Sequence, residues 1–116
     1  MGKFRLFLFL LLLPFSTFSI DSLTVGIFNT KVYTFVDSAD YEDYSNAHLL
    51  NKETCETSIE DGLIYMYIPD STCVDHEIIH ATWFILEYFG VKIDAYNNEI
   101  QAYLFEEIKR KILKKE

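Results

Sequence analysis

Residues 71 to 90 read STCVDHEIIHATWFILEYFG and contain the clearest helix signal of the chain. Ser71 or Thr72 can cap a helix N-terminus, and Gly90 suits the position just beyond a helix C-terminus. Between them the apolar residues recur at the spacing of one helix face. The stretch therefore predicts an amphipathic helix over residues 73 to 89.

A second helix is predicted after a short link. Asp94 or Asn97 can cap its N-terminus. Its apolar stripe is spaced by four residues and consists of Ile100, Leu104, Ile108 and Ile112. The last eight residues, KRKILKKE, place basic side chains at the C-terminal end, where they complement the negative end of the helix dipole.

The region before these helices predicts strands. Leu23 to Phe28 and Lys31 to Val36 are rich in β-branched and aromatic residues and flank Asn29-Thr30, so we expect two strands that can form a hairpin. Leu63 to Ile68 (LIYMYI) predicts a third strand that Pro69 ends. Because a proline cannot donate to a sheet ladder, this third strand is expected at an edge.

The remaining segments complete the predicted fold. A short helix capped from Asp37, Ser38 or Asp40 is expected to run to about Leu50. Residues 51 to 61 are polar and acidic and predict a surface loop that ends in an Asp-Gly turn. The elements together predict an α+β fold, in which a short, mostly antiparallel sheet packs on the first of the two C-terminal helices.

Length and charge limit the function classes. With 116 residues, 50% of them hydrophobic, the chain has the size of one globular domain, which we place at residues 21 to 116. The formal net charge is −8, and residues 21 to 108 hold three lysines against seventeen acidic residues. This charge opposes binding to phosphate backbones, so we expect no nucleic-acid partner. We expect a monomer.

Residues 1 to 20, MGKFRLFLFLLLLPFSTFSI, have the layout of a secretory signal, with a basic start, an apolar run and small polar residues after it. The apolar run, Leu6 to Phe15, is ten residues long, about half of what a membrane-spanning helix needs. If the segment acts as a signal, the protein is secreted, or it contacts the membrane through this segment when uncleaved. The alternative is an intracellular domain that begins near Ser22.

The two cysteines, Cys55 and Cys73, fit either compartment. In an exported chain they can form a disulfide that closes a loop of about 17 residues, which would stabilise the fold by about 3 kcal/mol in the chain-entropy model. In an intracellular chain they remain thiols, and Cys73 can then be considered as a metal ligand because it lies three residues before His76.

Residues 76 to 80 form the pattern H-E-x-x-H within the predicted helix. Positions i and i+4 lie on one helix face, one turn apart, so His76 and His80 can bind one zinc ion together. Glu77 is rotated by about 100° and is better placed to act as general base on a metal-activated water. A catalytic zinc ion also needs a third protein ligand and an open fourth position.

With this motif and the helix that follows it, the sequence resembles the gluzincin metallopeptidases, above all the minigluzincins and small phage-encoded metallopeptidases. The resemblance rests on HEIIHATWFILEYFGVKIDAYNNEIQAYLFEEI, which starts at His76. It covers roughly residues 30 to 110, and its specific part is residues 76 to 103. A phage-encoded protein would be located in the host cytoplasm, which is the alternative to secretion.

The resemblance implies a zincin-like domain that hydrolyses peptide bonds with Zn²⁺ as cofactor and a peptide or protein as substrate. His76 and His80 would be zinc ligands, and Glu77 would be the general base. Glu99, from the second helix, would be the third ligand. Residues 63 to 68 would form the edge strand along which an extended peptide pairs.

The residues themselves leave the third ligand open. If the two helices are antiparallel, Glu99 lies about one turn beyond His80. Glu106 then lies nearer to His76. Tyr103 shares a helix face with both glutamates and is a candidate catalytic residue that polarises the scissile carbonyl, or else a core residue. The alternative function is a catalytically inactive zincin-like protein that binds a partner or has a structural role.

Overall fold

The computed structural model describes residues 20 to 114. They form four strands and three α-helices in the order β1 (Ile20–Val25), β2 (Thr30–Phe35), α1 (Ser38–Ser45), β3 (Glu56–Glu60), β4 (Leu63–Tyr67), α2 (Val74–Tyr88) and α3 (Asn98–Lys114). Short 3-10 turns, Ser71–Cys73 and Ala95–Asn97, precede α2 and α3. The predicted α+β class is confirmed.

The signal-like segment predicted at residues 1 to 20 lies outside the described residues, apart from Ile20. Within residues 20 to 114, none of the helices combines the length and the apolar character that crossing a bilayer requires.

The four strands form one mixed sheet in the order β1-β2-β4-β3. β1 pairs with β2 and β3 pairs with β4 in antiparallel fashion, whereas β2 and β4 are parallel. The expected mostly antiparallel sheet is therefore present, but the expected edge strand was wrong. β4 lies inside the sheet and β3 lies at the edge. Pro69 does not interfere, because β4 ends at Tyr67 and the proline removes no donor from the ladder.

The loop predicted for residues 51 to 61 was also wrong in its second half, where strand β3 lies. Asp61 and Gly62 both have positive φ, 53° and 78°, as the central residues of a tight two-residue hairpin turn require. This turn joins β3 to β4. The polar residues of β3 have partners in the fold: the Tyr41 hydroxyl lies 2.8 Å from Glu56 Oε2 and 2.9 Å from Ser58 Oγ.

The sheet has a helix layer on each face. On one face α2 and α3 bury the larger core, whose fully buried members include Val25, Val32, Ile64, Met66, Ile78, Ile85, Leu86, Leu104 and Ile108. On the other face α1 and the segment after it cover a second cluster, which consists of Leu49 and the four aromatic residues Phe35, Tyr41, Tyr65 and Tyr67. Alternation along β4 assigns Ile64 and Met66 to the first core and Tyr65 and Tyr67 to the second.

The helix boundaries follow local signals. The helix predicted at residues 73 to 89 is α2, Val74–Tyr88, and Gly90 beyond it has φ 78°. The Val91 N–H closes the end by donating to the Leu86 carbonyl at 2.8 Å. The short helix α1 ends at Ser45, well before the expected Leu50, because Asn46 takes a left-handed conformation and caps it.

The predicted apolar stripe of the last helix is confirmed, since Leu104 and Ile108 of α3 are fully buried and Ile100 and Ile112 pack against the same core. The first two strands begin earlier than predicted. The chain turns over residues 26 to 29, so β1 ends at Val25 and β2 begins at Thr30.

Cys55 and Cys73 form a disulfide, so the alternative of free thiols and of Cys73 as a metal ligand does not hold in this structure. Cys55 lies directly before β3, and Cys73 lies directly before α2. The bridge therefore fixes the start of the edge strand against the start of the helix that carries the H-E-x-x-H motif.

We predict that the double substitution Cys55→Ser with Cys73→Ser lowers the free energy of unfolding by about 3 kcal/mol, because the open chain gains conformational entropy when unfolded. Urea denaturation of the oxidised protein and of the variant measures the difference. The reduced wild type should match the variant, and equal midpoints for the oxidised and reduced wild type would contradict the prediction.

Glu107 joins the C-terminal part of α3 to the turn after β1. Its buried carboxylate accepts a hydrogen bond from the Gly26 N–H at 2.9 Å and pairs with Lys111 at 3.1 Å. Burial raises the pKa of this carboxyl, but the Gly26 hydrogen bond and Lys111 outweigh burial and hold the pKa below its usual value. The ionised form therefore stabilises the folded state.

We predict that Glu107→Gln lowers the free energy of unfolding at pH 7 by about 1 kcal/mol, because the charge-assisted bonds weaken. Since the folded pKa is depressed, this contribution is present above the unfolded pKa and is lost as pH falls through the folded pKa. Urea denaturation at pH 7 and pH 3 should show a difference between wild type and variant that shrinks at pH 3. A difference that grows on acidification would contradict this assignment.

Candidate metal centre

The candidate centre lies on the first two turns of α2. His76, Glu77 and His80 each offer a ligand atom, and these atoms all lie within 4.8 Å of one another. The Nε2 atoms of the two histidines are 3.1 Å apart. His76 is exposed and His80 is half-buried, whereas Glu77 is buried. The helix thus presents two imidazoles toward solvent beside a carboxylate that is withdrawn from it.

The donor set fits a zinc ion. Two imidazole nitrogens bound to one tetrahedral zinc at about 2.0 to 2.1 Å lie roughly 3.3 Å apart, and the observed separation is 3.1 Å. The same separation suits a hydrogen bond between one protonated and one bare ring nitrogen. The pair is therefore compatible with both a metal-bound and a metal-free form without a change of helix geometry.

The side chain of Glu77 is bound to the sheet by a hydrogen bond. Its carboxylate Oε1 accepts a hydrogen bond of 2.6 Å from the Thr57 hydroxyl, and the same hydroxyl lies 3.3 Å from the Glu77 carbonyl. Thr57 belongs to the edge strand β3. The hydroxyl has one proton to donate. It donates this proton to the carboxylate, which is at the shorter distance, because hydrogen bonds to charged acceptors are short and strong. The edge strand and the motif helix thus meet at this bond.

A groove lies between α2 and α3, beside the histidines. Its volume is about 260 Å³, and it is lined by Ile79, Thr82, Trp83, Gln101, Ala102 and Phe105. Ile79 follows His76 by three residues and Trp83 follows His80 by three, so each stands next to a histidine on the helix surface. The histidines therefore border a largely apolar groove.

Two contacts fix the register of the antiparallel helices. Asp75 pairs with Lys109 at 3.2 Å, and the Trp83 indole donates to Gln101 at 3.3 Å. Both contacts require the same alignment of α2 with α3 along their length. In this register Glu106 lies opposite Ile78, which is midway between the two histidines, whereas Glu99 lies opposite Ile85, about one and a half turns beyond His80.

The predicted third ligand, Glu99, is exposed in the first turn of α3 and does not belong to the metal-ligand group found within residues 20 to 114. Glu106 is also exposed and also lies outside that group. However, Glu106 follows the groove residue Ala102 by one turn on the same helix side, at the level of the histidines. The register therefore favours Glu106 over Glu99 as the carboxylate that can complete the site.

Tyr103 is 52% exposed, so it is not a core residue, and within residues 20 to 114 no hydrogen bond joins it to the candidate centre. A catalytic role for Tyr103 remains a prediction. Thr57, in contrast, was missed by the sequence reasoning because its segment was predicted to be a loop. The signal that could have found it is the Asp61-Gly62 turn directly before strand β4, since such a dipeptide typically joins two strands of a hairpin.

Comparisons of the chain with protein-family models, with curated proteins and with solved structures find no match.

We predict that wild-type protein purified with zinc contains one zinc ion per chain, and that His76→Ala and His80→Ala lose it, because a single imidazole is a weak site. Glu106→Gln should lower zinc affinity by about 10- to 100-fold or more, and Glu99→Gln, the matched control on the same helix, should not. Competition with a chelator measures both affinities. Loss of zinc from Glu99→Gln and not from Glu106→Gln would reverse the assignment of the third ligand.

Proposed function

We propose that the protein is a zinc-dependent peptidase of the gluzincin type. The proposal is carried by one observation: two imidazoles at a separation suited to zinc stand beside a buried glutamate that a hydroxyl holds in place. A structural zinc site is closed by four protein ligands, whereas this group has two imidazoles, of which His76 is exposed and His80 is half-buried. Open coordination of this kind is typical of catalytic zinc.

The proposed zinc ligands are His76, His80 and a carboxylate from α3, either Glu106, as the register favours, or Glu99, as the family resemblance implies. When bound, zinc would act as a Lewis acid and would lower the pKa of a coordinated water toward neutrality.

Glu77 is proposed as the general base and acid. Its carboxylate takes a proton from the attacking water as the water oxygen bonds to the carbonyl carbon of the peptide. Glu77 then gives this proton to the amide nitrogen as the C–N bond breaks, which releases an amine and a carboxylic acid. Its position next to, but not on, the imidazole face of the helix suits this role better than ligation.

The substrate is proposed to be an extended peptide that pairs with β3. Among residues 20 to 114, β4 is the only strand that pairs with β3, so the other edge of β3 is free in this part of the chain. Main-chain pairing along that edge would bring a peptide past Thr57, whose hydroxyl touches Glu77. The net charge of −8 attracts basic peptides and repels acidic ones over long range, so neutral or basic peptides are the favoured substrates.

Secretion is proposed as the location, with the host cytoplasm of a phage-encoded protein as the alternative. The disulfide Cys55–Cys73 supports secretion, because such bonds persist in oxidising compartments and are rare in the cytosol. A monomer remains our expectation.

The second candidate function is a catalytically inactive protein with the same scaffold. It is favoured by the absence of an α3 carboxylate from the metal-ligand group of residues 20 to 114. A protein with two histidine ligands alone would bind zinc weakly and turn over no peptide. Zinc stoichiometry and peptide hydrolysis distinguish the two functions.

We predict that the zinc-loaded protein hydrolyses an unfolded protein substrate and that Glu77→Gln reduces the rate at least about 100-fold while zinc content stays at the wild-type level, because the amide keeps its shape but cannot take a proton. Release of new amino termini from a reduced, alkylated protein measures the rate. Glu87→Gln, an exposed glutamate on the same helix, serves as the matched control. Hydrolysis at the wild-type rate by Glu77→Gln would exclude this residue as the base.

A further inference from the structure

We propose that Thr57 is a positioning residue that holds the Glu77 carboxylate in the orientation required for proton transfer; this inference rests on the proposed function. The Thr57 hydroxyl donates to Glu77 Oε1 at 2.6 Å. Within residues 20 to 114, no other side chain hydrogen-bonds that carboxylate. The orientation of the base therefore depends on one hydroxyl from another element of the fold.

The bond restricts which oxygen of Glu77 is available. Oε1 is engaged by the hydroxyl, so Oε2 is the oxygen left to take up a proton. A glutamate side chain has three rotatable bonds, and it samples several rotamers unless packing or a hydrogen bond selects one. Burial of Glu77 restricts the rotamers of its side chain. The hydrogen bond from Thr57 then determines how the plane of the carboxylate is rotated.

Thr57 itself is rigidly placed. Its main chain pairs with Met66 in the neighbouring strand β4. On the opposite face of the sheet the Tyr41 hydroxyl lies between the side chains of Glu56 and Ser58, which flank Thr57 in sequence. The backbone of Thr57 is thus held by the neighbouring strand and by the contacts of Glu56 and Ser58 with Tyr41, which keeps its side chain on the face of the sheet that α2 covers.

The disulfide limits the remaining motion between the two elements. Cys55 lies two residues before Thr57, and Cys73 lies four residues before Glu77. Sliding of β3 along α2 would have to stretch this bridge. A hydroxyl on a strand and a carboxylate on a helix are therefore kept at hydrogen-bond distance, as a preorganised base requires.

The test replaces the hydroxyl while keeping the shape of the side chain. In zinc-loaded Thr57→Val we expect kcat for peptide hydrolysis to fall about 10- to 100-fold, with KM and zinc content close to wild type, because substrate and metal do not touch the lost hydroxyl. Thr57→Ser keeps a hydroxyl and should restore most of kcat. Thr24→Val, a threonine on the opposite edge strand, is the matched control and should leave kcat unchanged.

A second readout does not depend on turnover. Acetohydroxamate coordinates zinc and shares a proton with a neighbouring carboxylate, so its affinity reports the position of the base. We expect its Kd to rise about tenfold in Thr57→Val, and we expect no further rise when this change is added to Glu77→Gln, because Thr57 acts through Glu77.

The outcomes separate this inference from the proposed function. Wild-type kcat and inhibitor affinity in Thr57→Val, or a Thr57→Ser variant as impaired as Thr57→Val, would overturn the positioning role. Loss of zinc or a matching rise of KM in Thr57→Val would identify a purely structural residue and would overturn it as well. A wild-type protein that binds zinc and hydroxamate but hydrolyses no peptide would contradict the proposed function, while the inhibitor measurement would still decide the role of Thr57.

Discussion

The contact between edge strand β3 and the first turns of helix α2 is the constraint on which the candidate centre depends. A covalent bridge between Cys55 and Cys73 joins the chain just before each element. Further along both elements, the Thr57 hydroxyl of β3 donates a hydrogen bond to the Glu77 carboxylate of α2. Without this bond, the carboxyl group of the buried Glu77 would have no side-chain hydrogen-bond partner within residues 20 to 114, and a buried polar group without a partner is destabilising. The contact therefore stabilises the fold and orients its most reactive carboxylate.

Much of the helical half could be predicted from the sequence, because its determinants are local. Gly90 ends α2, and the four-residue spacing of Leu104 and Ile108 defines the buried side of α3. The approach of His76 and His80 follows from helix periodicity alone. Such features need no knowledge of distant segments.

The edge strand could not be predicted in this way, because its polar residues are explained by partners far along the chain. Glu56 and Ser58 meet Tyr41, and Thr57 meets Glu77 twenty residues later. Read without those partners, the segment ETSIE has a single aliphatic residue, Ile59, among acidic and hydroxyl side chains, which is too little to distinguish a strand from a polar loop. The polar side chains that indicated a loop are the groups through which this strand contacts the helices on both faces of the sheet.

The third ligand illustrates the same limit. Distance along the sequence does not determine which glutamate of α3 faces the histidines, since a shift of α3 by about two helix turns exchanges Glu99 for Glu106. The register comes from side-chain contacts, Asp75 with Lys109 and Trp83 with Gln101, that helix periodicity does not reveal. These contacts place Glu106 at the level of the two histidines.

The most direct test of the metal centre is an anomalous difference map at the zinc absorption edge from crystals of the zinc-loaded protein. The proposed centre predicts one peak within about 2.0 to 2.2 Å of Nε2 of both His76 and His80 and of a carboxylate oxygen from α3. A map with no peak at this position, and with the two imidazoles hydrogen-bonded to each other, would contradict it.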